Sequence, residues 1–277
     1  MVRRWSIPVL AATLAFGSML AMAGTASAAT TRHANITAVR PGAAVHGFRP
    51  GGLVHLIGSR HAGRNGKDTE AESTNWSGYA ATGADGAFSS VSATWTQPTA
   101  TCTKSQDQYA AFWVGLDGYS SDSVEQTGTD SDCDGKTPDY YGWYEMYPAD
   151  PVYYTNTVKP GDSLSASVTF TGTDTYTLTL TDSTQDWTQT QVIDETGLDR
   201  SSAEVITEAP CCTNSGGILP LSDFGTVTYG SSTANGTSLG SQSPTEIIMV
   251  DNSGRDKDST SAIGSGGGFS NTWIRSS

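Results

Sequence analysis

The chain has 277 residues, with 15 Lys and Arg against 28 Asp and Glu for a net charge of −13, only 16% charged residues, and 31 glycines. That acidity excludes nucleic acid and an anionic membrane surface as partners, because holding phosphate needs clustered Lys and Arg. The length suits one or two domains, and abundant Gly, Ser and Thr favour strands and turns over helices laced with Glu–Lys pairs.

From the N-terminus, residues 1–28 read as a secretory signal peptide: Arg3 and Arg4, an apolar run from Ile7 to Ala23, then the small-residue site Ala26-Ser27-Ala28. The run is too short and too weakly apolar for a membrane anchor, so export with cleavage after Ala28 is expected. Residues 29–70 carry six Lys and Arg against Asp68 and Glu70, and they hold every histidine: His33, His46, His55 and His61. Rich in Gly and Pro and without periodicity, this stretch fits a segment that orders only against a partner. Residues 71–277 offer one, since seven Lys and Arg there face 26 Asp and Glu, a net charge of −19. The basic segment therefore reads as a propeptide lying on an acidic mature domain.

Within the mature region the pattern is that of strands. In Tyr109 to Asp117, Phe112, Val114 and Leu116 point one way while Trp113 and Asp117 point the other. In Tyr140 to Pro148, Tyr141, Trp143, Glu145 and Tyr147 share a side. Leu164, Ala166, Val168 and Phe170 alternate with Ser and Thr, as do Tyr176, Leu178 and Leu180, and Lys159-Pro160-Gly161-Asp162 supplies a turn before them. In Ala203 to Pro210, Glu204, Ile206 and Glu208 lie opposite Ala203, Val205 and Thr207. Many short strands and no helical stripe predict an all-β sandwich or barrel. Three of the strands offer faces that mix carboxylates with aromatic or apolar side chains. Buried carboxylates need a partner or a role, so a concave, acidic, aromatic-lined groove is expected.

The absence of histidine after residue 70 removes Ser–His–Asp and Cys–His catalysis and His-ligated zinc. Gly236-Thr237-Ser238-Leu239-Gly240 matches the G-x-S-x-G pattern but has no base for Ser238, so it reads as a turn. No phosphate-binding or dinucleotide motif is present, and no cofactor or metal is implied. The four cysteines, Cys102, Cys133, Cys211 and Cys212, allow three pairings in an exported chain; Cys102 with Cys133 is favoured, although it leaves adjacent Cys211 and Cys212, which can bond to each other only in a strained ring.

Five segments in order then carry a resemblance: Asn75-Trp76-Ser77-Gly78, Phe112-Trp113-Val114-Gly115-Leu116-Asp117-Gly118, Glu125-Gln126-Thr127-Gly128-Thr129-Asp130, Trp143-Tyr144-Glu145-Met146-Tyr147-Pro148 and Ala203-Glu204-Val205-Ile206-Thr207-Glu208. Together they resemble the glutamic peptidase (eqolisin) family of secreted acid endopeptidases, over essentially all of the chain after about residue 72. The resemblance implies a two-sheet antiparallel β-sandwich similar to the concanavalin-like jelly roll. It implies a catalytic dyad of Gln126, in the Q-T-G motif, and Glu208, the second acid of the A-E-x-x-x-E segment. Trp113, Asp117, Asp130, Glu145 and Tyr147 match supporting positions, and a basic propeptide is a family trait. Two departures stand out: Glu125 occupies a position that is apolar in the family, and the family's cysteine just before the Q-T-G strand is missing.

Such a dyad suffices for peptide hydrolysis. Glu208 as carboxylate can take a proton from water and return it to the leaving nitrogen. The uncharged Gln126 amide can donate to the oxyanion and orient the water. Desolvation and nearby acids such as Glu204 or Glu145 are expected to raise the Glu208 pKa. Trp76, Trp113, Trp143 and Tyr147 are expected to grip an extended protein or peptide substrate, with Glu204, Asp117 and Asp130 in hydrogen-bonding or catalytic roles. The propeptide is expected to act as an intramolecular inhibitor, and nothing suggests more than a monomer. The competing reading is a carbohydrate-active or carbohydrate-binding jelly roll, with Glu145 and Glu208 as the paired acids a glycosidase needs.

Overall fold

The computed structural model describes residues 52–60, 70–211 and 217–277. The stretch read as a signal peptide, most of the basic segment and Cys212 lie outside them.

The described strands are β1 (Leu56–Arg60), β2 (Glu70–Ser73), β3 (Trp76–Thr82), β4 (Ser90–Thr96), β5 (Ala111–Leu116), β6 (Val124–Asp134), β7 (Thr137–Tyr147), β8 (Val152–Tyr153) and β9 (Ser163–Gly172). They continue with β10 (Thr175–Asp182), β11 (Trp187–Asp194), β12 (Ser202–Glu208), β13 (Thr226–Ala234), β14 (Thr237–Ser238), β15 (Thr245–Met249), β16 (Asp258–Thr260) and β17 (Phe269–Trp273). Two sheets result. One has nine strands in the order β1-β2-β15-β3-β12-β5-β6-β7-β8; the other runs β11-β10-β9-β4-β13-β17-β16, with β14 beside β13. Only β15 against β2 is parallel; every other strand pairing is antiparallel. This is the expected two-sheet β-sandwich.

The eight-stranded sheet follows simple alternation. Leu178 and Leu180 on β10 and Leu164 and Val168 on β9 turn inward, and the outward positions are Thr and Ser. Threonines pair across β10 and β11 on the solvent side, Thr179 with Thr190 and Thr181 with Thr188. The inward residues meet Phe112, Val114, Leu116, Ala203 and Val205 from the nine-stranded sheet.

The middle of the nine-stranded sheet is different, because every residue of β5 and of β12 is buried. Its second face carries a separate apolar cluster that includes Trp76, Ala80, Trp113, Trp143 and Ile206. A strand covered on both sides cannot alternate between apolar and polar in the ordinary way.

Cys102 and Cys133 form the favoured disulfide, fastening the loop before β5 to the end of β6. Cys211 is also disulfide-bonded. Ser238 ends the short β14 after the Asn235-Gly236 turn and leads into a single 3-10 turn, as its reading as a turn requires. The expected boundary after residue 70 falls inside β2, which pairs with β1 of the basic segment.

Candidate active site

The two faces of the nine-stranded sheet sort the acids. On β5, Phe112, Val114 and Leu116 enter the core, and Trp113 joins the opposite cluster. On β12, Val205 enters the core and Ile206 the opposite cluster, which places Glu204 and Glu208 on the Ile206 side. On β6, Val124 belongs to that same cluster, so Gln126 and Asp130 share its face and Glu125 has the other. Tyr141, Trp143 and Tyr147 of β7 complete it.

Gln126 and Glu208 therefore stand on one face of one sheet, with β5 between their strands. The register offsets them by four positions. Gln126 is level with Gly115 and Glu204, while Glu208 is level with Ala111 and Asp130. Trp113 occupies the level between, and its indole Nε1 donates to Glu208 Oε2 at 2.9 Å. Two glycines give that indole its place. A Cβ at Gly115 would lie 2.9 Å from Trp113 Cζ3 and 3.3 Å from Gln126 Cβ, and one at Gly128 would lie 2.3 Å from the Phe112 carbonyl and 2.5 Å from Trp113 Cβ. Trp76 packs edge-on against Trp113, with ring centres 4.8 Å apart.

Glu208 is fully buried. Its Oε1 accepts from Asn75 Nδ2 at 3.3 Å and from the amide of Gly52, in the basic segment, at 3.2 Å. Burial pushes its pKa up to about 8, opposed by the donors Gly52, Trp113 and Asn75 and by the nearby Trp76 indole, whose N–H makes no hydrogen bond among the described residues. Desolvation thus outweighs three hydrogen-bond donors. Asp130 is also buried and raised, and it feels the Glu208 charge.

The remaining acids fall into distinct groups. Gln126 Nε2 donates to Glu145 Oε2 at 2.8 Å, which fixes the amide, and Gln126 Oε1 makes no hydrogen bond among the described residues. Asp130 accepts from Trp143 Nε1 at 2.5 Å and from Tyr141 Oη at 3.1 Å, and the same hydroxyl bonds Asp132 at 2.6 Å. Burial and its neighbours hold the Asp132 pKa near 8. Asp117, at a positive φ of 70°, accepts the backbone amides of Arg200 and Ser201 at 2.6 and 2.8 Å. That ties the end of β5 to the start of β12, a structural role. Burial raises the Glu204 pKa first, and the charges of Asp117 and Glu125 add to it. Glu125, on the core side, is pushed up to about 9, mainly by burial.

Three expectations change in detail. Trp76, Trp113 and Trp143 are fully buried rather than open to a groove, and Leu53 and Val54 of the basic segment pack against their cluster. Trp143 and Trp113 spend their indole N–H groups on Asp130 and Glu208. The raised pKa of Glu208 comes first from burial, and Glu204 lies four positions along the strand from it, level with Gln126. The sequence gives Asn75 no role, although it adjoins Trp76. It gives Asp132 none either, because nothing in local pattern shows the Tyr141 hydroxyl that joins it to Asp130.

A family model described as the peptidase A4 family matches residues 74–270. No curated protein sequence matches the chain. Among solved structures, the chain is similar to scytalido-glutamic peptidase, solved with a transition-state analogue inhibitor, at 28% identity over 73% of this chain and 98% of that one, with a TM-score of 0.62. SCP-B, a member of the eqolisin family solved with the tripeptide Ala-Ile-His, matches at 28% identity over 73% and 98%, with a TM-score of 0.58. Aspergilloglutamic peptidase from Aspergillus niger matches at 25% identity over 60% and 99%, with a TM-score of 0.51.

Proposed function

Since this chain belongs to the peptidase A4 family of glutamic peptidases, we propose that it is a secreted acid endopeptidase whose dyad is Gln126 and Glu208, made as a zymogen that its own basic segment inhibits. One observation supports this most: the Glu208 carboxyl, on the same sheet face as Gln126, has a peptide amide, that of Gly52, 3.2 Å from Oε1. A group that protonates a leaving nitrogen needs one within hydrogen-bond reach.

In the proposed reaction Glu208, as carboxylate, removes a proton from water while the water oxygen bonds to the substrate carbonyl carbon. The carbonyl oxygen becomes an oxyanion, which receives a hydrogen bond from the Gln126 amide. Glu208 then passes the proton to the nitrogen as the C–N bond breaks. Glu145 holds the Gln126 amide in orientation through its 2.8 Å bond, leaving one N–H for the oxyanion and Oε1 for the water.

The covered site accounts for latency by occlusion. The segment occupies the space beside Glu208, where its Gly52 amide takes one lobe of Oε1, and it thereby excludes substrate and the attacking water. Removal of the segment readmits both. Acidification favours this release, because it discharges the carboxylates of a domain with net charge −19 that attracts a segment of charge +4. Purified zymogen should gain activity and lose its basic segment when acidified; a zymogen that stayed intact and inactive would contradict the switch.

The reading is tested by incubating a denatured protein and a polysaccharide with acid-treated enzyme from pH 2 to 8. Cleavage of the protein with an acidic optimum, lost in Gln126→Ala, is expected. Polysaccharide hydrolysis that tolerates Gln126→Ala would overturn it.

A further inference from the structure

The four residues that lie across the site are held mainly by their backbone. Asn75 Nδ2 donates to the Leu53 carbonyl at 3.0 Å, and Asn75 Oδ1 accepts the His55 amide at 2.8 Å. Between them the Val54 amide donates to the Gly118 carbonyl at 3.2 Å, and the His55 carbonyl accepts from the Thr74 amide at 3.0 Å. One side-chain amide thus reads a carbonyl and an amide two residues apart, as the edge of a strand would. The same Asn75 also donates to Glu208 Oε1, and Ser73 Oγ donates to its Oδ1. Its orientation is fixed, because a flip would set an N–H against the His55 N–H.

From this geometry, and resting on the peptidase reading above, we propose that Asn75 is a main-chain clamp for the leaving-group half of a peptide substrate, whose path residues Gly52–His55 trace. The direction follows from the chemistry. Glu208 must deliver its proton to the scissile nitrogen, and the nitrogen beside it belongs to Gly52; from there the chain runs C-terminally, as the leaving amine does. Gly52 thus stands for the first leaving-group residue, Leu53 for the second, Val54 for the third and His55 for the fourth. Asn75 takes the carbonyl of the second and the amide of the fourth, and Gly118 the amide of the third. Because Asn75 touches Glu208 as well, it sets the register of substrate against catalytic carboxyl. An added Cβ at Gly52 meets nothing within 4 Å, so the first position accepts side chains broadly. The second and third face the apolar cluster through Leu53 and Val54, which favours apolar residues there.

The test uses acid-activated enzyme and an internally quenched peptide with Gly-Leu-Val-His after the cleaved bond, product masses fixing the cut. Two analogues replace the amide N–H by an ester oxygen, at the third or at the fourth leaving-group residue. In the wild type each ester should lower kcat/KM about fivefold, mainly through KM, since one backbone hydrogen bond is lost. Asn75→Ala should be indifferent to the ester at the fourth residue and still sensitive at the third, and Asn75→Asp, which keeps an acceptor, should stay sensitive at both. Should Asn75→Ala not fold, the wild type and Asn75→Asp carry the test. A wild type indifferent to both esters, or an equal loss at the fourth residue in wild type and Asn75→Ala, would overturn the clamp alone. Failure to cut the parent peptide at any pH would overturn the clamp together with the peptidase reading.

Discussion

The two sheets of this sandwich are built by different rules. In the eight-stranded sheet β10 alternates buried and half-buried residues without interruption, and threonine pairs line its outer side. In the nine-stranded sheet β5 and β12 are buried throughout and carry acids among the indoles. A sheet with one wet face can leave its polar groups in water. A sheet covered on both faces must either neutralise its carboxyls or hydrogen-bond them, and this one does both. The proposed chemistry resides where alternation fails.

Substitutions should therefore act on activity in one sheet and on stability alone in the other. The largest effect is expected from Gln126→Ala, which removes an oxyanion donor and should cost about two to three orders of magnitude in kcat with little change in unfolding temperature. Equal loss of activity and fold would blur the distinction between the sheets. Gly128→Ala comes next. A Cβ 2.3 Å from the Phe112 carbonyl and 2.5 Å from Trp113 Cβ forces backbone apart in the middle of the sheet, so a stability loss of about 3 kcal/mol or more in denaturant titration is expected. Leu178→Ala, in the core-facing row of the other sheet, should lose about 2–5 kcal/mol while leaving kcat/KM of the folded fraction unchanged. The smallest effect belongs to Thr179→Ala on the outer side of β10, which should stay within about 1 kcal/mol and be silent in activity.

The acids of the nine-stranded sheet also fix the sign of the pH dependence. Glu125, Asp132 and Glu208 have folded pKa values raised to about 9, 8 and 8, whereas unfolded carboxylates ionise near pH 4. Between those limits the native state holds more protons than the unfolded state, so stability is full in acid and falls as pH rises. Thermal melts of the Gln126→Ala zymogen, which lacks the activity to process itself, should be highest near about pH 4 and decline toward about pH 8. A rise over that interval would show that these carboxyls are ionised in the fold.

Much of this division was legible in the sequence. Period-two alternation located β9 and β10, and parity assigned Trp113, Glu145, Glu204 and Glu208 to the face they occupy. Parity says which side a residue takes, not which neighbours meet there. Register does that, and it separated Glu204 from Glu208, placing one level with Gln126 and the other beside Trp113 and Asn75. Asn75 escaped notice because a lone amide has no periodic signature. Its role arises from residues 52–55, about twenty positions earlier, and that contact has no trace in local pattern. The fully buried tryptophans have the same cause, since the sequence shows the aromatic face and not the segment that covers it.

The central claim is that residue 208, and not its neighbour on the same face, exchanges the proton with the substrate. The register makes the choice a real one, because Gln126 is level with Glu204. Cleavage of one peptide at acidic pH by Glu208→Gln and Glu204→Gln, beside acid-activated wild type, decides it. Glu208→Gln should lose at least about a hundredfold in kcat, while Glu204→Gln keeps most of its turnover. Turnover that survives in Glu208→Gln and vanishes in Glu204→Gln would contradict the account.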